Sequence, residues 1–356
     1  MSKAGLSRRD FLKLTGLSLA TLALDPFSPL GKPYPPEEFP IPDTPKMKAR
    51  VTTRSIYVYQ EPIFKSKRVR TLKRDQVVKI LAEITSPHGP SYNPRWYQLE
   101  DGYVHSVYLQ RVDHIHLNRP LEQIPEKQLG EITVPMSQSM RLNRKRAWAP
   151  LYRLYYQSVH WITGLEEGED GNPWYQLTDD PLRVKYYIPA VHLRPILDEE
   201  LTPISPDVPA REKRIEVSIK HQTLTAYEGD QAVLHTKISS GLPSRSVPAN
   251  GIPTDTPEGT FHVEVKVPSR HMGDGELTSD LDAYELPGVP WVSFFHEIGV
   301  GFHGTYWHDN FGVRMSHGCV NMRTSEAQWL YRWSQPNPKP REWFTRKHGT
   351  VVKIRK

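Results

Sequence analysis

Cysteine is nearly absent: Cys319 is the only one in 356 residues. No internal disulfide can form, and no cysteine near the start offers a point for lipid attachment. Long apolar runs are missing as well. The run over residues 14–24 falls short of the about 20 residues that span a bilayer. Charge of one sign is not concentrated anywhere. The net charge is +6 and no like-charged block exceeds a few residues, so nucleic acid is not indicated as a partner. Zinc-ligand spacing is lacking too: His303, His317 and Cys319 do not follow a Cys-x-x-Cys or His-x-x-x-His pattern. No metal or other cofactor is expected. Proline and glycine, at 33 and 22 residues, are plentiful, and hydrophobic content is a modest 37%. Such a chain predicts many turns, few long helices and a mostly β architecture.

Read in order, residues 1–25 resemble an address. Ser7-Arg8-Arg9-Asp10-Phe11-Leu12-Lys13 before the apolar run looks like a twin-arginine export signal. Residues 26–46 are proline-rich and read equally as a semi-rigid spacer or as disorder. Residues 47–113 and 130–197 look like two copies of one unit. Trp96-Tyr97-Gln98-Leu99 recurs as Trp174-Tyr175-Gln176-Leu177, and internal similarity of this kind bears directly on the fold. Short apolar runs broken by turns predict two small β-barrels resembling bacterial SH3-like domains, with Trp96 and Trp174 as core aromatics. Residues 198–211 read as a hinge linker. The last block, 212–356, opens with alternating strands around a turn at Gly229. It continues with a strand over 259–267, a long polar flap over 268–290 and a strand over 291–295. One helix is expected from Thr324, capped by Thr324 or Ser325, with Ala327, Leu330 and Tyr331 on one face. A strand over 350–354 closes the block.

Within it, residues 301–322 contain Cys319 and three histidines, two of which, His303 and His317, belong to one pattern with it. The pattern is His303-Gly304-Thr305, then Ser316-His317-Gly318-Cys319-Val320-Asn321. A lone cysteine near histidines is a candidate nucleophile with a base. Gly318 permits a tight turn beside the sulfur, and N–H groups on such a turn can face one oxyanion. This pattern, with Ser239-Ser240-Gly241 and Thr256-Pro257-Glu258-Gly259-Thr260-Phe261 upstream, resembles the L,D-transpeptidases with a YkuD-type catalytic domain.

The resemblance implies a β-sandwich-like catalytic domain with one short helix and an acyl transfer on peptidoglycan. Cys319 would attack a stem tetrapeptide and release D-alanine, and an acceptor amine would resolve the thioester. His303 matches the general base, with the Gly304 carbonyl orienting it and His317 as the alternative base. Backbone N–H groups of His317, Gly318 and Cys319 would form the oxyanion hole. Ser316, Asn321, Tyr306 and Trp307 are candidate substrate contacts, although Asn321 stands where many members have arginine. His271, His296 and His308 read as surface or core residues. Partners would be stem peptides and the cell wall, with the protein a monomer at the extracytoplasmic face, touching membrane only through an uncleaved signal. A carboxypeptidase using water, and an inert wall-binding protein, remain the alternatives.

Overall fold

The computed structural model describes residues 47–143, 145, 147–243 and 253–356. The readings made for residues 1–25 and 26–46 lie outside the described residues. The first unit holds β1 (Lys48–Val51), β2 (Ser55–Tyr59), β3 (Arg68–Lys73), β4 (Val77–Lys79), β5 (Ala82–Thr85), β6 (Arg95–Leu99), β7 (Gly102–His105) and β8 (Leu109–Arg111). The second holds β9 (Gln128–Ile132), β10 (Met136–Leu142), β11 (Trp148–Tyr155), β12 (Val159–Glu167), β13 (Pro173–Asp179), β14 (Val184–Pro189) and β15 (Leu193–Pro195).

Both units follow one pairing scheme. The first strand pairs with the last, β1 with β8 and β9 with β15. The second strand pairs with the third and with the penultimate one, as β2–β3 and β2–β7 repeat in β10–β11 and β10–β14. A single long strand, β12, takes the places of both β4 and β5, pairing with β9 and β13. A 3-10 turn, Ser106–Tyr108 or Ala190–His192, precedes the last strand in each.

Closed barrels are not found among the described residues, contrary to the sequence reading. The first unit splits into sheets of three and five strands where the chain breaks between β4 and β5, and the second is one seven-stranded sheet ending at β11 and β15. Trp96 is fully buried as expected. Trp174 is only half-buried: its ring rests against Trp148 and its Nε1–H donates to Asp170 Oδ1 at 2.9 Å.

The third unit contains β16 (Lys213–Ser218), β17 (Thr223–Glu228), β18 (Gln231–Lys237), β19 (Gly259–His262), β20 (Val265–Gly273), β21 (Glu285–His296), β22 (Val300–Gly304), β23 (Val320–Met322), α1 (Thr324–Trp333), β24 (Thr345–Arg346) and β25 (Val351–Arg355). Two five-stranded sheets result, ordered β18–β17–β16–β25–β19 and β23–β22–β21–β20–β24. Alternating residues explain the layering: Ile215, Val217, Leu224 and Ala226 of one sheet share a core with Trp291, Phe302 and Val320 of the other. The strand expected over 259–267 is two strands in different sheets, broken between His262 and Val265.

The single α-helix among the described residues is α1. It buries Ala327, Leu330 and Tyr331, the predicted face. Its N-cap is Arg323, with no side-chain cap bond, so neither Thr324 nor Ser325 serves there. Its carbonyl end is closed by two lysines instead. Lys213 Nζ donates to Trp333 O at 3.0 Å, and Lys266 Nζ donates to Tyr331 O at 2.6 Å and to Ser334 O. Cations are favoured at a helix C-terminus.

The stretch read as a linker is packed in place. Leu201 is buried in the core of the third unit, as are Leu129, Val159, Trp161 and Ile196 from before the linker. The Trp161 ring lies 4.9 Å from that of Trp343. No helix among the described residues is long and apolar enough to cross a membrane.

Candidate active site

β22 and β23 run parallel, with His303 opposite Asn321 and Gly304 opposite Met322. This pairing brings the imidazole strand beside the residues that follow Cys319. Phe302 points into the core, so strand alternation turns His303 to the other face. His303 Nδ1 lies 3.0 Å from Gly304 O. A carbonyl only accepts, so Nδ1 carries the proton and Nε2 keeps its lone pair. The Trp307 ring leans on the imidazole, with ring centres 5.7 Å apart.

Cys319 is buried, at 8% exposure, and its Sγ–H reaches Gly299 O at 3.7 Å. The turn before it is held from both sides. Ser316 Oγ donates to Cys319 O and accepts from Gly318 N–H at 3.2 Å. Gly318 has φ +117, a conformation that favours glycine. Thr256 Oγ1 donates to Gly318 O at 2.7 Å and accepts from Gly241 N–H at 2.8 Å. A side chain at Gly241 would lie 2.1 Å from Thr254 O, which accounts for the glycine in the Ser239-Ser240-Gly241 segment.

These contacts bear on three expectations. The Gly318 N–H is engaged by Ser316 Oγ, so the three N–H groups do not all converge on one point. Ser316 Oγ is engaged in both directions within the turn. Tyr306 is buried, with its hydroxyl donating to Pro287 O at 2.8 Å and its ring against Tyr155, so it supports the wall of the site.

His308, read from the sequence as a surface or core residue, is buried beside the site. Burial together with nearby His303 pushes its pKa down to about 3, so it is neutral. Its Nδ1 accepts from Asn310 N–H at 3.2 Å, which leaves the proton on Nε2. Nε2 lies 2.8 Å from the Asn321 side-chain amide. With Nε2–H as the donor, the amide must present its oxygen to His308. The only available signal was its place five residues after His303.

The flap is shorter than expected. β20 and β21 extend through most of 268–290, leaving a loop over 274–284. Its Tyr284 ring lies 5.4 Å from that of His317. The loop is tied to the first unit: Arg54 and Arg74 each reach Asp282 at 3.1 Å. A cavity of about 140 Å³ sits beneath it, lined by Arg50, Arg153, Tyr155, Tyr284 and Trp307 among others. No group of three or more histidine, cysteine or acidic residues placed to hold a metal occurs among the described residues.

Residues 212–354 match the YkuD family, described as an L,D-transpeptidase catalytic domain. A Bacillus subtilis (strain 168) protein named "Putative L,D-transpeptidase YciB" is 26% identical over 136 residues, covering 35% of this chain and 63% of that protein. The catalytic domain of an E. faecium L,D-transpeptidase, solved by NMR, is 25% identical over 40% of this chain and 95% of its own, with a TM-score of 0.29. An L,D-transpeptidase from Mycobacterium smegmatis is 15% identical, covering 70% and 90%, with a TM-score of 0.31. At these TM-scores neither structure supports an argument about the fold. The family match over residues 212–354 contains the whole motif from His303 to Asn321, so this segment is similar to YkuD-type L,D-transpeptidase catalytic domains.

Proposed function

We propose that this protein is a cysteine-dependent peptidoglycan L,D-transpeptidase acting outside the cytoplasm. The observation that carries the reading is the His303 imidazole, its Nδ1 fixed by Gly304 O, on the strand paired with the segment that follows Cys319. His303 Nε2 takes the thiol proton, and the sulfur attacks the carbonyl after the diaminoacid of a stem tetrapeptide. The S–C bond forms, the amide C–N bond breaks, and the imidazolium returns its proton to the departing D-alanine amine. An acceptor amine then attacks the thioester and gives up its proton to His303, and the thiolate leaves. Charge developing on the carbonyl oxygen is met by the turn's backbone N–H groups that Ser316 does not engage, those of His317 and Cys319. The hydrogen bond from Thr256 to Gly318 O turns that peptide so that the Cys319 N–H faces away from Thr256. The protein works as a monomer on stem peptides of the wall. The segment over residues 7–13 routes its export by the twin-arginine pathway.

A carbapenem tests the reading, because its strained amide traps a nucleophile beside an oxyanion site. Intact mass after brief exposure should show one adduct on the wild type and none on Cys319→Ser. An unmodified wild type whose thiol still titrates would point to an inert domain. An adduct on another residue would remove Cys319 from the mechanism.

A further inference from the structure

The loop from β22 to the cysteine turn is gripped from outside by the first unit. Arg50 Nη2 donates to Tyr306 O at 3.3 Å. Asp309 N–H donates to Val107 O at 2.9 Å. Asn93 Nδ2 donates to Asp309 O at 3.1 Å and to Asn310 Oδ1 at 3.3 Å. Its own Oδ1 accepts from Ser106 Oγ–H and Arg95 N–H, which fixes the amide orientation. Arg95 Nη1 pairs with Asp309 Oδ2 at 3.0 Å, and the Asp309 side chain is only 14% exposed. Burial raises the Asp309 carboxyl above its ordinary range, and the neighbouring Arg95 opposes that rise.

The gripped residues flank His308. Asn310 N–H sets the His308 tautomer, and His308 holds the amide of Asn321, the strand partner of His303. An irregular loop loses little entropy by shifting, so its geometry depends on such external anchors. We propose that Asn93 and Arg95 are positioning residues of the active site, fixing His308 and Asn321 against His303 by clamping Asp309 and Asn310. They touch neither the sulfur nor the substrate. The inference rests on the reading of His303 and Cys319 as the reacting pair, and it makes the first unit part of the catalytic frame.

The test uses the full chain with Arg95→Ala, Asn93→Ala and the conservative Arg95→Lys. Two rates are measured: carbapenem acylation, and alkylation of Cys319 by iodoacetamide across pH. A displacement near 1 Å in a reacting group costs on the order of 10²-fold. Both alanine variants should therefore acylate about 10- to 100-fold more slowly and show a displaced alkylation pH profile. Arg95→Lys, which keeps the charge beside Asp309, should recover most of the rate. A lowered melting temperature with wild-type acylation and pH profile would overturn the proposal, because that is the mark of a merely structural contact. Should Arg95→Ala fail to fold, Asn93→Ser decides by the same two readouts. A wild type that alkylates but never acylates would sink the transpeptidase reading, and the alkylation profiles would still judge this one.

Discussion

Thr256 holds the turn before Cys319 without touching the sulfur. Its hydroxyl accepts from Gly241 and donates to Gly318 O, so a segment well upstream sets the peptide plane that precedes Cys319. Thr256 was legible in the sequence only as part of a resemblance, since nothing in a Thr-Pro pair announces a partner 62 positions away. The histidines make a sharper residue-scale prediction. His303→Ala should slow carbapenem acylation by on the order of 10²–10⁴-fold, the usual cost of a lost general base. His317→Ala should do less, because alanine keeps the backbone N–H, and the ring it removes stands beside Tyr284. Rates from time-resolved intact mass would rank them, and the opposite order would transfer the base role to His317.

At the scale of elements, alternation and turn chemistry made β16, β17, β18 and α1 readable, since each is a local pattern of apolar faces. β20 and β21 were misread as a flap because residues 268–290 are polar and rich in proline and glycine. They stay in register because their side chains meet the second unit, which local sequence cannot show. His271 on β20 is the clearest case. Its Nδ1 lies 2.6 Å from Asp179 Oδ2 of β13, and its Nε2 lies 2.5 Å from Glu285 Oε2 of β21. Burial acts to lower its pKa, but the two carboxylates overcome that and raise it to about 9. A raised folded pKa means that this stabilisation is complete below the unfolded value of about 6.5. It fades as pH climbs through about 9. The melting temperature should accordingly fall across that window, and His271→Gln should flatten the decline. Calorimetry at several pH values measures both. An equal slope in the variant would place the pH dependence elsewhere.

At the scale of the whole molecule, the amino-terminal units share core and hydrogen bonds with the third. Trp161 and Val159 belong to the same apolar core as β22, and Ser269 Oγ donates to Val159 O at 2.5 Å. A fragment of residues 211–356 loses the Trp161 ring from Trp343, and removing a buried tryptophan costs about 3–5 kcal/mol. The fragment should melt well below the full chain and acylate poorly, and the full chain should unfold in one transition. A fragment as stable and active as the whole would make the units spacers. The parallel pairing of β16 with β25 has a consequence of its own. β25 sits between β16 and β19, so that sheet has a gap in its middle until residues 351–355 have been synthesised. On the ribosome, β16 to β18 must wait as an open three-stranded ribbon with a bare edge, the kind of surface that recruits a neighbouring nascent chain.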